Sequence, residues 1–318
     1  MSGCLKYLNQ RQTIRELIKM KDVVLITGGN GHLAQVTSQH LQKNYTVRHL
    51  TTKAPSKSQD SYFHWDITKQ YIDPKALEDC NHIVHLAGFP ILKRWTKRNK
   101  QIMYDSRVKS AKLLFITCKK MHIRPKTFIS ASAIGIYDQS LEGVINESSP
   151  KGSDWLGKMA CDWENTADLF KELGSRVVQM RISLILSNKA GFLKYNLISM
   201  KFGLGLIIGD KNRKINWIHV EDAARFIKES IIHNEYNGAY NLACEQNISQ
   251  EHFINLIRKN LFPYSMVINI PIFLVRLLLL KRVQIIDTNL DIEAKKIKDH
   301  NFKCKFNSLE QILDCLKR

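Results

Sequence analysis

Three small residues at regular spacing, Gly28, Gly31 and Ala34, could hold the pyrophosphate of a dinucleotide. They follow the apolar run 23–26, which is typical of a buried strand. Gly31 and Ala34 flank the start of residues 32–41, whose composition suits a helix. Gly28 permits a sharp turn, Gly31 lets the backbone approach a phosphate closely, and Ala34 keeps the helix near the sheet. The N–H groups at the start of the helix would face the anion. An ordinary strand–helix turn is the alternative explanation of so short a pattern.

The end of the next predicted strand, 46–51, bears on the choice of cofactor. The strand ends in Thr51 and is followed by Thr52 and Lys53. An acid at this place accepts the ribose 2′-hydroxyl of NAD, whereas a base favours the 2′-phosphate of NADP. Because the chain has a lysine here and no acid, the sequence favours NADP(H), with NAD(H) as the alternative. A third strand ends at Asp66, whose carboxylate could meet the amino group of adenine.

Strand-like and helix-like stretches alternate along the first part of the chain. This alternation predicts an α/β fold, a Rossmann-type doubly wound parallel sheet with a smaller C-terminal α/β cap lobe. The predicted units are a basic N-terminal extension over 1–21, a Rossmann domain mainly over 22–185 with a returning segment near 214–243, and a cap lobe mainly over 186–318 that includes a small C-terminal domain at about 271–318.

Composition limits the class of protein and its cellular setting. A chain of 318 residues with 44% hydrophobic residues can bury a full core. Its seven cysteines are scattered, odd in number and without a CxxC pair. This usage predicts free thiols in a reducing compartment, hence a cytoplasmic protein, and no metal site. Residues 1–21 have no continuous apolar core, so no signal peptide is expected.

Charge and one apolar run raise the question of macromolecular partners. The formal net charge is +19, yet the basic clusters 93–98 and 119–120 come with no nucleic-acid-binding motif. The apolar run 268–280 is broken by Pro271 and Arg276 and is too short to span a bilayer. We expect it to form a helix packed on the core, with a membrane-surface helix as the alternative. A small-molecule substrate is therefore expected, rather than nucleic acid or a membrane, and the oligomeric state stays open.

Nine motifs occur in a specific order along the chain, and together they resemble one family. They are TGGNGHLA, HWD, HLAGFPILKRW, YDSR, SASAIGIYD, ACDWEN, RISLIL, FGLGLIIGD and NWIHVED. The set resembles the atypical, epimerase-like branch of the extended short-chain dehydrogenase/reductases. The resemblance runs from about Val23 to the C-terminus and includes the small C-terminal domain of that branch. Its members are commonly described as epimerase family proteins or NAD-dependent epimerase/dehydratase relatives, and some carry a cell-division-inhibitor label.

The resemblance implies a Rossmann fold that binds NADP(H) under a smaller lobe capping a substrate cleft. On the matching positions it implies cofactor contacts from Gly28, Gly31 and Ala34 at the pyrophosphate, Thr51 and Thr52 at the ribose, Leu86 and Ala87 along the adenosine half, Asp66 beside Trp65, and Arg107 near a phosphate. The chain departs from the family at Thr52, where an arginine is usual, so Lys53 has to replace it or the preference for NADP weakens. His32 and Asp138 also depart from the usual residues.

The catalytic Tyr and Lys of the superfamily are missing. In active members the Tyr transfers a proton, the Lys four residues later lowers its pKa, and a Ser steadies the substrate oxygen. Aligned on 163–164, the Tyr and Lys positions fall on Leu156 and Ala160, neither of which can transfer a proton. Ser132 provides the hydroxyl of the Ser in this Ser, Tyr and Lys set, and Tyr137 follows five residues later.

Two interpretations of Ser132 and Tyr137 remain open. In one, both orient a substrate, with His219 from the cap side, and Tyr137 supplies the proton. In the other, Ser132 is a turn hydroxyl, Tyr137 packs in the cleft and His219 has a structural hydrogen bond. Arg107 is favoured as a cofactor contact because a buried arginine needs an anionic partner. Cys161 is expected to be a core thiol.

The sequence therefore leaves open whether the chain is an enzyme. It predicts an NADP(H)-binding epimerase/reductase-like protein with an unknown small-molecule substrate. The alternative is a non-catalytic dinucleotide-binding sensor or regulatory protein.

Overall fold

The computed structural model describes residues 21–53, 60–244, 246 and 248–317. The predicted N-terminal extension lies outside the described residues except for its last position, Lys21.

Sixteen strands and ten α-helices make up the described part of the chain. The strands are β1 Val23–Thr27, β2 Thr46–Thr51, β3 Tyr62–Asp66, β4 Tyr71–Ile72, β5 Cys80–His85, β6 Thr127–Ala133, β7 Val144–Ile145, β8 Arg176–Ile182, β9 Leu184–Leu186, β10 Leu204–Ile208, β11 Lys214–Ile215, β12 Trp217–His219, β13 Gly238–Leu242, β14 Ile248–Ser249, β15 Met266–Ile270 and β16 Asp291–Ile292. The helices are α1 His32–Leu41, α2 Lys97–Tyr104, α3 Ser110–Lys120, α4 Trp155–Asp168, α5 Gly191–Lys201, α6 Val220–Ile232, α7 Gln250–Leu261, α8 Ile272–Leu279, α9 Lys295–Asp299 and α10 Leu309–Lys317.

The central sheet has eight strands in the order β13-β8-β6-β5-β1-β2-β3-β4. All its neighbours run parallel except β4, which is antiparallel to β3. Every residue of β1 is buried, as expected of a strand covered by helices on both faces. Helices α1 and α6 contact each other over one face, and α3 and α4 pack over the other. The predicted doubly wound Rossmann-type fold is thus confirmed.

A smaller lobe follows the central sheet in sequence. Its core is a separate apolar cluster built mainly from α5, α7 and α10, with the strand pairs β10–β15 and β11–β14 beside them. This is the predicted C-terminal α/β cap lobe. The predicted domain boundaries stay a prediction.

One local expectation was wrong. The stretch 268–280 was expected to pack as a helix on the core, but it forms the end of β15 and then α8, of which only Val275 is buried. Pro271 follows β15 and is the N-cap of α8, and the side chains of Phe273, Leu277 and Leu278 in this helix are exposed. Beyond α8 the chain forms β16 and then the short α9. Within the described residues, no helix has the length and apolar content needed to cross a bilayer.

Candidate functional site

A cleft of about 450 Å³ opens at the carboxyl ends of the central strands. Its walls come from the loop after β1, the first turn of α1, the ends of β5, β6 and β8, and one face of α4. The neighbours of β1 are β2 on one side and β5 on the other, so the strand order reverses at this point. Such switch points are where doubly wound sheets bind ligands.

The glycine turn closes one end of the cleft. Gly28 has a φ of +67°, and a Cβ there would lie 3.1 Å from the Cα atom of Ala87 and from the carbonyl oxygen of Leu86. Gly31 is the N-cap of α1, with extended backbone and no side chain capping the helix. The N–H groups of the first turn are therefore open to an anion. Ala34 is 1% exposed and lines the cleft, so a larger side chain would separate α1 from the sheet.

A buried hydrogen-bonded unit fixes the loop after β5 against the glycine turn. The Thr27 hydroxyl oxygen accepts bonds of 3.0 Å from the backbone N–H groups of both Leu86 and Ala87. It is also 2.9 Å from Nδ1 of His85. Burial lowers the pKa of His85 to about 4, so the imidazole is neutral at physiological pH. Leu86 lines the cleft, whereas Ala87 is buried behind it.

Arg107 is a partly buried cation at the cleft wall. Its Nη1 atom donates to the carbonyl oxygens of Phe89, at 3.0 Å, and Met103, at 3.1 Å. The guanidinium carbon lies 5.4 Å from the ring centre of Trp163. Burial lowers the pKa of Arg107 to about 10, and no carboxylate in the described part of the chain pairs with it. Gly88 lies against it, since a Cβ there would come within 3.0 Å of Nη2. A partly buried charge in this state is suited to an anionic ligand.

The residues expected at the ribose lie next to the glycine turn but outside the cleft lining. The Thr51 hydroxyl accepts bonds from Nδ2 of Asn30, at 3.0 Å, and from the backbone N–H of Lys53, at 3.2 Å. Thr52 and Lys53 are exposed. Asp66 is on the neighbouring strand, where the hydroxyl of Thr68 lowers its pKa by donating to it at 2.6 Å.

Ser132 and Tyr137, the two catalytic candidates, are placed differently. Ser132 lines the cleft and donates to Oε1 of Glu164 at 2.8 Å, while Arg181 holds both oxygens of that carboxylate at 2.8 and 2.9 Å. The expectation that Tyr137 faces the cleft was wrong. Its side chain is fully buried, its hydroxyl donates to Asn241 at 2.6 Å and accepts from Arg181 at 3.0 Å, and burial raises its pKa. Asn241 of β13 and Arg181 of β8, both in the central sheet, enclose this hydroxyl.

The two positions onto which the resemblance aligns the superfamily's Tyr and Lys are apolar parts of the wall. Both Leu156 and Ala160 line the cleft from α4. His219 does not reach it: its Nδ1 atom accepts from the N–H of Glu221 at 3.3 Å, and its ring centre is 4.0 Å from that of Phe306. The histidine therefore caps α6, in agreement with its structural interpretation.

Comparison with known proteins identifies the family. The family model described as "NAD dependent epimerase/dehydratase family" matches residues 24–243. The chain belongs to this family. Epimerase family protein YfhF of Bacillus subtilis is 30% identical over 234 residues, which cover 72% of this chain and 77% of that protein. Epimerase family protein SA0724 of Staphylococcus aureus is 28% identical over 304 residues, covering 92% and 98%.

Solved structures show the same fold. The structure of human epimerase family protein SDR39U1 with NADPH has a TM-score of 0.80 and 22% identity, covering 92% of this chain and 97% of that chain. UDP-glucuronic acid 4-epimerase from Bacillus cereus, in complex with UDP-glucuronic acid and NAD, has a TM-score of 0.73 and 17% identity, covering 92% and 96%. The resemblance to the epimerase-like branch, inferred from motif order, is confirmed.

Four residues at the candidate site were not identified as functional from the sequence. Asn30 and His32 belong to the glycine motif, and the Nε2 atom of His32, which lines the cleft, is 2.7 Å from the Ser187 hydroxyl. Glu164 and Arg181 lie in the ACDWEN and RISLIL motifs, but only the fold shows that they pair beneath Ser132. The charge of Arg181 within the buried strand β8 is the signal that could have found that residue.

Proposed function

We propose that the chain is an NADP(H)-binding epimerase/reductase-like protein that acts on a small-molecule substrate. Family membership supports a dinucleotide as the cofactor, and the relative solved with NADPH supports NADP(H) among the dinucleotides. Lys53, just beyond β2, supports the same preference.

One observation carries this proposal. The N-terminus of α1, which has no side-chain cap, and the guanidinium of Arg107, which pairs with no carboxylate among the described residues, border the same cleft. Each of these two features favours negative charge, and a pyrophosphate would satisfy both. We assign Gly28, Gly31, Ala34, Thr51, Thr52, Lys53, Asp66, Leu86, Ala87 and Arg107 to the cofactor-binding region.

The bound nicotinamide would supply hydride transfer to or from a substrate carbon near Ser132. The protein's own contribution there is orientation. Because the ionised carboxylate of Glu164 can only accept, the hydroxyl hydrogen of Ser132 points to it and the oxygen lone pairs remain for a ligand in the cleft. We do not propose Tyr137 as a proton donor, because its hydroxyl is buried between Arg181 and Asn241.

A second candidate is a dinucleotide-binding sensor without turnover. The observation that favours it is the pair of apolar side chains, Leu156 and Ala160, in the cleft wall where the superfamily has its Tyr and Lys. A sensor predicts cofactor binding that alters stability or partner binding. Robust turnover with any carbonyl or nucleotide-sugar substrate, lost in Ser132→Ala, would exclude it.

The test is a cofactor titration of wild-type protein and Gly31→Asp by nicotinamide fluorescence and thermal shift. An aspartate at the N-cap is compatible with the helix, but its carboxylate would occupy the N–H groups that the phosphate needs. We expect NADPH to raise the melting temperature of the wild type by mass action, and Gly31→Asp to abolish that rise.

Gln42→Asp is the matched control. It adds the same charge at the exposed C-terminal end of the same helix. The control should bind NADPH as the wild type does. If none of NADPH, NADH, NADP and NAD shifts the melting temperature, or if Gly31→Asp binds normally, the proposed site is incorrect.

A further inference from the structure

The short helix α8 exposes most of its apolar side chains, and the proposed cofactor site does not use them. Phe273 is 61% exposed, Leu277 72% and Leu278 78%, and Leu280, directly after the helix, is 58% exposed. Leu274 is exposed as well. We call these five side chains the α8 apolar surface. Large apolar side chains exposed next to one another mark a contact site.

The exposed side chains of α8 lie on one side of the helix. Positions 273, 274, 277 and 278 have the spacing of a single helix face, and Val275, which is buried, lies on the other side. Apart from Arg276, every residue of this helix is apolar. A helix that is apolar all round belongs in a core or in lipid. Because Val275 is its only buried residue, α8 is not a core helix.

The end of α8 presents a further leucine at a cost in stability. Leu280 has a φ of +51°, in the left-handed region that favours glycine. Its side chain gains little from packing, since more than half of it is exposed. Strained backbone positions of this kind occur where function requires them. Leu280 therefore indicates that the exposed apolar character of this segment is used.

The chain around α8 is basic and without acids. Residues 252–286 contain five Lys or Arg and no Asp or Glu. The next residue, Asp287, pairs with Arg276 at 3.2 Å. Lys281, which follows the helix directly, is exposed and pairs with no carboxylate among the described residues.

A second basic segment adjoins the α8 apolar surface. The Nη1 atom of Arg282 donates at 3.0 Å to the carbonyl oxygen of Leu92, and Leu92 is followed by the exposed cations Lys93 and Arg94. In the part of the chain that the structure describes, no carboxylate pairs with any of these three cations. A nearby acid, Asp154, is occupied as the N-cap of α4 and as the acceptor of a bond from Gln284. The apolar side chains are thus bordered by cations that have no acidic partner.

This combination selects one class of occupant. Helices that lie in the plane of a membrane surface place apolar side chains among the acyl chains and Lys or Arg at the level of anionic headgroups. A second copy of this chain does not match, because it also carries a net charge of +19 and like charges repel. An acidic protein matches the cations but needs a groove shaped to the apolar side chains, whereas acyl chains accept them in any arrangement.

We propose that the α8 apolar surface binds a bilayer that contains anionic lipid, with α8 lying in the interface and not crossing it. This corresponds to the membrane-surface alternative for 268–280, whose interpretation as a core helix was wrong. The proposal goes beyond the proposed function and does not depend on a bound cofactor.

The test is co-sedimentation of the full chain with vesicles of phosphatidylcholine that contain about 30% phosphatidylglycerol, and with vesicles of phosphatidylcholine alone. We expect binding to the anionic vesicles that weakens as salt is added, and little binding to the neutral ones. The double variant Leu277→Ser, Leu278→Ser should weaken binding to anionic vesicles by at least about tenfold, because two leucines no longer enter the acyl region. Lys281→Gln should weaken it by about fivefold through the loss of one charge at the headgroups.

Two further variants separate bilayer binding from folding. Leu280→Gly relieves the positive φ, so it should melt at a higher temperature than the wild type and still bind the anionic vesicles more weakly. Ile116→Ser is the matched control, because Ile116 is 50% exposed on α3 between the exposed Lys112 and Lys120. It should change vesicle binding by less than about twofold.

Several results would overturn the proposal. These are no binding of the wild type to anionic vesicles, equal binding to neutral and anionic vesicles, or equal weakening by Ile116→Ser and the double leucine variant. A dimer in sedimentation velocity that the double leucine variant abolishes, without vesicle binding, would make a second copy the occupant. Stronger binding of polyglutamate than of anionic vesicles would indicate an acidic protein instead. An NADPH titration of the double leucine variant should match the wild type, so that loss of bilayer binding and loss of cofactor binding are told apart.

Discussion

Replacing Arg107 with methionine is expected to separate ligand binding from stability. The two arginines beside the cleft differ in burial and in pairing: Arg107 is partly buried, whereas Arg181 is 3% exposed. Arg181 holds the carboxylate of Glu164 with two hydrogen bonds, whereas Arg107 donates only to backbone carbonyl oxygens. Methionine preserves much of the volume of either side chain and removes the charge. The pair of variants therefore tests what the unpaired charge is for.

The structure gives the size of the stability effect. Burial lowers the pKa of Arg107 from its ordinary 12.5 to about 10, which corresponds to about 3 kcal/mol against the charged form. Two hydrogen bonds to carbonyl oxygens and the contact with Trp163 offset this by about 1 kcal/mol each. Arg107→Met should thus change the free energy of unfolding by less than about 1 kcal/mol. Arg181→Met leaves the buried Glu164 carboxylate with only the Ser132 hydroxyl and the more distant ammonium group of Lys151, at 3.6 Å, which costs about 3–5 kcal/mol.

For NADPH binding, the order of the two variants should be reversed, with the larger loss in Arg107→Met. A charged hydrogen bond to phosphate is worth about 1.5–3 kcal/mol, so Arg107→Met should raise the Kd for NADPH by about 10- to 100-fold. The assays are urea denaturation of the ligand-free protein and a fluorescence titration with NADPH. Both are run on the wild type, Arg107→Met and Arg181→Met under the same conditions.

Two results would refute this reasoning. If Arg107→Met unfolds as easily as Arg181→Met, then Arg107 is a structural residue, and its charge is satisfied within the protein. If Arg107→Met is stable but binds NADPH with the affinity of the wild type, the guanidinium does not contact the cofactor phosphate.

Two further outcomes test the interior of the site. Tyr137→Phe should lower the free energy of unfolding by about 1–2 kcal/mol, since Asn241 and Arg181 lose a hydrogen-bond partner. The Kd for NADPH should stay unchanged in the same titration. A large loss of NADPH affinity in a folded variant would contradict the placement of Tyr137 outside the cleft. His85 has a pKa of about 4 in the folded protein and about 6.5 in the unfolded protein. Between these pH values the unfolded state binds more protons, so the free energy of unfolding decreases as the pH falls from about 6.5 to 4. Denaturation at several pH values across this range gives the slope of unfolding free energy against pH. This slope should be smaller in His85→Asn than in the wild type by up to about 1.4 kcal/mol per pH unit, and an unchanged slope would show that His85 does not titrate as a buried group.

The parts of the site that the sequence predicted are those set by local backbone chemistry. A strand followed by Gly28 and Gly31 allows few geometries, because a positive φ and a close approach to the loop after β5 both exclude a side chain. The parallel sheet follows from the alternation of buried strands and helices. These requirements act over about ten residues, so a single sequence contains them.

The parts that the sequence missed depend on contacts between distant segments. Tyr137 follows β6 closely, where a ligand-facing role is a reasonable expectation, yet Asn241 and Arg181 enclose it from β13 and β8. Ser132 and Glu164 are 32 residues apart, and no spacing rule joins them. In 268–280, hydrophobicity alone predicted burial, because the sequence does not show that the cap-lobe core is already filled by α5, α7 and α10.

The same contacts bear on whether the protein turns over a substrate. Proton transfer in this superfamily needs a donor that faces the substrate, and the four positions where it was sought give none: Leu156 and Ala160 are apolar, Tyr137 is enclosed, and the Ser132 hydrogen points to Glu164. Dinucleotide binding needs only the glycine turn, the helix N-terminus and an unpaired cation, all of which border the cleft. Cofactor affinity and turnover are therefore separable properties of this chain. A Ser132→Ala variant that binds NADPH normally would show that Ser132 serves the substrate side of the cleft, where any catalysis has to occur.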